Sequence, residues 1–177
     1  MKHGAIRGAW LCGPMGLGSG SGFVRNALMA LCARCRRILA GNDIGRDTRI
    51  ALRAYIDLTN PRGVHIGEGT FVETGAAVLA HDPSRPFHSH TFIGRDCFIG
   101  MRALIMPGVK VGDQSIVLAG SLVKEDVPAG SMVARCPARV LRSGIRTGKY
   151  GVLLEAGAEA LAQGLEAVNS SPQPQIC

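Results

Sequence analysis

The chain has 177 residues, 24 of them glycine and only eight aromatic (five Phe, two Tyr, one Trp). A hydrophobic fraction of 46% with 19% charged residues excludes global disorder and a coiled coil, and the glycines follow no Gly-X-Y period, which excludes collagen. The net charge of +7 is uneven: residues 1–60 hold nine cations and three anions, 61–143 nine and seven, 144–177 two and three. A basic N-terminal third suits phosphate, an acidic polymer, an anionic membrane face or plain solvation.

In chain order, residues 1–22 carry seven glycines and no continuous apolar run. They read as a flexible leader rather than a secretory signal. Residues 23–43 are expected to form a helix capped by Ser21 or Gly22, with Val24, Leu28, Leu31, Cys32, Cys35 and Leu39 at helical spacing. Arg25, Arg34, Arg36 and Arg37 inside it exclude a membrane span. Cys32 and Cys35 form one CxxC, but none of the six cysteines supplies a second, and no disulfide framework emerges. A reducing cytoplasm is the expected setting, with peripheral contact at the inner face of the membrane as an option for the basic helix.

From Ile44 onward a period of six takes over. Ile93, Ile99, Ile105, Val111, Val117 and Val123 are all Ile or Val, types that fill only 25 of the 177 positions. Six such hits in a chosen register arise by chance roughly once in a hundred thousand, as expected only of a true repeat. The same step recurs at Ile44, Ile50, Ile56 and at Ile66, Val72, Val78. Glycine follows the aliphatic at 45, 67, 94, 100 and 112, and small or β-branched residues stand four places after it at Thr48, Ala54, Thr70, Ala76, Cys97, Ala103, Val109, Ser115 and Ser121. Six matches neither a helix nor a hairpin meander. It fits a short strand and a turn, repeated, with one aliphatic directed inward per face and glycine supplying positive φ at tight corners.

Two gaps interrupt the step. Ile56 to Ile66 is one hexad plus four, and Val78 to Ile93 is fifteen, which reads as one hexad plus nine or two hexads plus three. The first split gives four complete coils beginning at Ile44, Ile66, Ile93 and Val111. It sends the loops at 60–63 and 81–90 out of the same edge on successive coils. Interruptions in a solenoid tend to carry function. After Arg142 the hexads stop; residues 153–168 are rich in Ala, Leu and Glu and are expected to be helical, and 169–177 to be a loose tail.

The stretch IGRDCFIGMRALIMPGVKVGDQSIVLAGSLVKEDVPAGSMVARCPARVLR, from residue 93 to 142, resembles the hexapeptide-repeat acyltransferases. The resemblance covers about 44–142 and comes closest to the sugar and polysaccharide O-acetyltransferases. It implies an all-β chain, a left-handed parallel β-helix of about four coils with an N-terminal and a C-terminal helix. The division that follows is a leader at 1–22, a capping helix at 23–43, a catalytic β-helix at 44–142, and a C-terminal helix and tail at 143–177. Left-handedness runs against the usual crossover rule and comes from the resemblance alone. Residues 23–45 are similar to the helix that precedes the first coil in sugar O-acetyltransferases, which closes the end of a solenoid.

The resemblance also implies chemistry. Transfer of an acetyl group from acetyl-CoA to an alcohol needs a base for the hydroxyl proton and a donor, such as a coil's backbone N–H, for the oxyanion. Four of the five histidines lie in or beside the two loops, and VLAHDPSRPFHSH is similar to the family's loop with its catalytic histidine. That assigns His81 as the general base. Asp82 is expected to orient the loop or the acceptor; Asn60, Arg62, His88 and His90 to contact the acceptor; and His65 to be a surface face residue. Phe87 and Phe92 near the same edge are candidates for acceptor or subunit contacts. Ala119 and Gly120, where the family has Gly-Ala-Gly, are expected to admit the pantetheine arm, with Lys124, Arg139 and Arg142 toward the nucleotide phosphates. A homotrimer with a sugar or glycan acceptor is implied, with no nucleic acid and no metal. The carbonic anhydrases of this fold are disfavoured because the positions that align with a pair of their metal ligands are Met101 and Met106. The alternatives are N-acetylation of a nucleotide-linked amino sugar, transfer to a small alcohol such as serine, or a β-helix assembly protein without catalysis.

Overall fold

The computed structural model describes residues 20–35, 41–82, 84 and 87–154. Within them strands of two to four residues stack into three parallel ladders, one per face of a prism. The first face aligns Ile44, Ile66, Ile93 and Val111 and extends by a bridge to Val127. Ile50, Val72, Ile99, Val117 and Val133 line the second, and Ile56, Val78, Ile105 and Val123 the third. The fold is a left-handed parallel β-helix of four full coils plus a partial fifth. Register settles the split at 78–93 as one hexad plus nine, because Ile66 pairs Ile93 directly.

The ladder aliphatics are nearly all fully buried, as are the small residues four places on. Each buried aliphatic contributes about 1.5–3 kcal/mol by leaving water. At the corner between the first and second faces the small residues form a polar ladder. Thr48 Oγ1 donates to the Gly67 carbonyl at 3.0 Å, Thr70 Oγ1 to Gly94 at 2.8 Å, and Ser115 Oγ to Pro128 at 3.0 Å. Short hydroxyls thus fill a corner too narrow for larger side chains and satisfy the carbonyls there.

The glycines one place after the aliphatics have a different role from the one their sequence suggests. Positive φ falls two or three residues later, on Asp47, Gly69, Gly75, Asp96, Arg102, Gln114 and Gly120. Gly45, Gly67, Gly94, Gly100 and Gly112 are needed instead because a Cβ would collide with the backbone of the next coil; at Gly100 it would lie 2.6 Å from the Ala119 nitrogen.

The helix α1 runs Gly20–Cys35, so three residues assigned to the leader are helical, and a strand already begins at Asp43. It packs on the first coil through a face other than the expected one. Ala33 is buried and Met29 packs on the core, while Val24, Leu28, Leu31 and Cys35 are exposed. The offset follows from docking against Ile50's strand, where small Ala33 permits close approach. Residues 1–19 and 36–40, with the side chain of Cys32, lie outside the described residues.

At the other end the chain reverses. Ser131–Ala134 pairs antiparallel with Arg139–Ser143. Residues 144–154 form the strands Thr147–Gly148 and Val152–Leu153 around a 3-10 turn, so the start of the helix expected at 153–168 is a strand residue. They run back along the corner between the first and second faces. Gln114 Nε2 donates to the Thr147 carbonyl at 2.9 Å, Thr147 Oγ1 donates to the Asp96 carbonyl at 2.6 Å, and the Tyr150 N–H donates to the Gly69 carbonyl at 2.6 Å. Lys149 reaches Asp47 on the first coil at 2.8 Å. The segment clasps all four coils. Residues 155–177, and with them most of the expected C-terminal helix, lie outside the described residues.

Candidate active site

Both insertions leave the edge between the third and first faces. The shorter one forms a 3-10 turn, Pro61–Gly63, started by a proline that fixes φ where no N–H is needed. The longer one rises as a hairpin in which His81–Asp82 pairs antiparallel with Phe87–His88. The turn 107–108 and the bend at Glu125 complete this edge on the next two coils.

The base of the hairpin is sewn from both sides. Asp57 is 2% exposed, and its carboxylate accepts the N–H of Ala80 at 2.9 Å and of Thr59 at 2.8 Å. Burial pushes the Asp57 carboxyl up, but the N–H groups of Ala80, Thr59 and Asn60 outweigh it and hold it below its ordinary value. Asn60 donates its amide to the carbonyls of Ala80 and Ser89, each at 3.1 Å. Thr91 donates to the Leu79 carbonyl at 2.6 Å and accepts the Gly108 N–H at 3.0 Å. Ser89 N–H closes on the Ala80 carbonyl at 3.0 Å.

His81 follows Ala80 immediately, so this clamp sets its backbone. Its ring is half-buried and stacks on His88 at 4.8 Å. Asp82 accepts both the N–H and the hydroxyl of Ser84, at 2.9 and 2.6 Å, and so shapes the hairpin tip. Asn60, expected at the acceptor, turns its amide donors to the two loops instead; Arg62 beside it is exposed. His65 is more than a face residue. Its Nδ1 lies 3.1 Å from Asp43 and its Nε2 2.8 Å from His90 Nδ1, and its ring stacks on Phe92 at 4.5 Å. Nothing is described of the Phe87 side chain.

The residues expected along the acyl donor lie on the fourth coil and on the strand that follows it. Ala119 and Gly120 are exposed on the corner between the second and third faces of the fourth coil. Lys124 stands on the loop edge, also exposed. Arg139 lies 3.6 Å from Glu125, and Arg142 is half-buried opposite Met132.

Reading by period missed Asp57, Thr91 and Asp43. A signal existed for Asp57: it is the residue directly after an inward isoleucine at the break itself, a place where a carboxylate needs a built reason to be buried. Thr91 and Asp43 act through stacking across coils, which sequence spacing does not display.

The profile described as "Bacterial transferase hexapeptide (six repeats)" matches residues 90–125. YvoF of Bacillus subtilis, named as an acetyltransferase, is 34% identical over 102 residues, covering 55% of this chain and 58% of its own. A 2,3,4,5-tetrahydropyridine-2,6-dicarboxylate N-acetyltransferase of Staphylococcus aureus is 43% identical over 84 residues, covering 48% of this chain and 32% of its own. The chain therefore spans little more than half of one relative and a third of the other. The crystal structure of the polySia specific acetyltransferase NeuO superposes with a TM-score of 0.50 at 21% identity, over 68% of this chain and 62% of that one, a likeness of fold. The ladders from Ile44 to Val127 are thus similar to the hexapeptide repeats of bacterial transferases, with the profile match confined to residues 90–125.

Proposed function

We propose that the protein is an acetyl-CoA-dependent O-acetyltransferase acting on a saccharide hydroxyl, in polysaccharide or glycan assembly, with His81 as general base. The observation that carries this reading is the clamped hairpin. Asp57 and Asn60 fix Ala80, the residue next to His81, and Thr91 fixes Leu79 before it. Such an investment in one loop's position suits a base that must meet a hydroxyl within hydrogen-bond reach.

In the proposed step the acceptor oxygen attacks the thioester carbonyl while neutral His81 takes the hydroxyl proton. A C–O bond forms, the tetrahedral oxyanion collapses, and the C–S bond breaks. His81 then gives the same proton to the departing thiolate. No metal enters the step. Acetyl-CoA is the second substrate, with Ala119, Gly120, Lys124, Arg139 and Arg142 proposed along it. The reading includes a homotrimer in which a neighbouring chain completes the groove. Arg62, Asp82, His88 and His90 are proposed on the acceptor side. The proposed setting is the cytoplasm; no described helix is long and apolar enough to cross a membrane.

The amine-acceptor reading draws on the name of the Staphylococcus aureus relative. A mass-shift screen with acetyl-CoA and matched hydroxyl and amino sugars separates the two. O-acetylation gives an ester cleaved by mild hydroxylamine, whereas an amide survives.

A further inference from the structure

The hydrogen-bond chain Asp43–His65–His90 lies beside the hairpin, and the sequence reading left its first two members without a role. A carboxylate has only lone pairs, so the 3.1 Å contact from Asp43 requires a hydrogen on His65 Nδ1. Neutral His65 then has a bare Nε2. The 2.8 Å contact there requires His90 to carry its own hydrogen on Nδ1. His90 Nε2 is left bare. The ring stacking of His65 on Phe92, 4.5 Å apart and 9° from parallel, holds the middle of the chain flat.

His90 follows by two residues the hairpin that pairs His81 with His88. The strand Thr91–Ile93 alternates, with Thr91 and Ile93 buried and Phe92 exposed, and His88 and His90 before it are exposed. His90 and Phe92 share the outer face there, their rings 6.2 Å apart, and His88 is exposed at the end of the hairpin. His88 in turn stacks on His81. The row thus runs from the proposed base to a second imidazole whose tautomer is set two residues away.

Resting on the O-acetyltransferase reading, we propose that Asp43 and His65 are positioning residues that fix His90 as a hydrogen-bond acceptor, and that His90 Nε2 holds a second hydroxyl of the acceptor beside the one His81 deprotonates. The substrate class this selects is a polyhydroxylated one, with neighbouring hydroxyls, as in a saccharide. An acceptor with a single hydroxyl engages His81 alone.

The test uses the full-length protein in two arms. In the first, histidine-15N NMR at mildly alkaline pH reads the tautomer directly, without turnover. Wild type is expected to show a bare Nε2 and protonated Nδ1 at His90, and His65→Phe, which keeps the ring stack, to lose that fixed state. His90 protonated on Nε2 in wild type would overturn the relay. In the second arm, His65→Phe and Asp43→Asn are assayed against a sugar acceptor and its deoxy analogue lacking the neighbouring hydroxyl. The sugar's KM is expected to rise about 3–10-fold with kcat changed less than about threefold, the size of one hydrogen bond. The deoxy analogue's KM should stay level in both variants. Equal effects on both acceptors, or none on either, would overturn the acceptor-holding role. His65→Gln serves as the second variant, and circular dichroism excludes unfolding. If wild type acetylates no acceptor, the O-acetyltransferase reading fails and the relay stands or falls on the NMR arm.

Discussion

At the residue scale, Asp57 and His81 divide the labour of the loop edge. Asp57 Oδ2 accepts the N–H of Ala80 and Oδ1 that of Thr59. Asp57→Asn replaces one acceptor by a donor, so one buried N–H loses its partner, at a cost of about 1–3 kcal/mol. Chemical denaturation should show that loss, and kcat should fall because the hairpin stem loosens under His81. The carboxyl is held below its ordinary value, so its stabilising effect is fully present above the usual aspartate value of about 3.9 and is lost as pH falls through the lower folded value. Acid unfolding followed by circular dichroism should begin at higher pH in wild type than the denaturant-stability difference alone suggests, and Asp57→Asn should flatten that dependence. Cys97 gives a contrasting case. It is fully buried, and burial pushes its thiol up to about 11, so at neutral pH it stays protonated and unreactive. Thiol-reagent labelling with peptide mapping should modify exposed Cys35 rapidly and Cys97 only on unfolding.

At the element scale, each hexad is one strand, one corner and one contact to the next coil. The inward aliphatics and the small corner residues were legible because a period of six has one inward position per face, and burial at those positions is close to complete. The glycine role was misread because sequence shows that a Cβ is absent but not why. Backbone approach between coils, not φ, requires Gly100. Gly100→Ala should therefore destabilise by about 1–3 kcal/mol, as overpacking against rigid backbone does. Arg102→Gly, where φ is 56°, should be close to neutral because relief of left-handed strain offsets the added freedom of the unfolded chain. Thermal melts of both variants check the contrast, and a reversed order would refute it. The α1 face was misread for a related reason. Helical spacing marks an apolar stripe, yet docking chose the side where Ala33 lets the helix approach the first coil.

At the scale of the whole molecule, the count of coils and the shared edge of both loops were legible because one of the two splits of the 78–93 gap gives four complete coils, and the Ile66–Ile93 pairing is that split. The clasp of 145–154 was not legible. It has no hexad, and its partners Asp47, Gly69 and Asp96 lie about 50–100 positions upstream. Ile145, 4% exposed, anchors it over Ile116 and Met132. Ile145→Ala should cost about 2–4 kcal/mol, and hydrogen exchange should show the loss along the clasped corner more than at the loop edge. That separation matters because the proposed chemistry sits on the opposite side of the first face from the clasp. The central claim is that this edge transfers an acetyl group with His81 as base, and thiol release from acetyl-CoA with a saccharide acceptor measures it most directly. His81→Ala, folded as judged by circular dichroism, should lower kcat by about 10²–10⁴-fold. Turnover within about threefold of wild type would contradict the account.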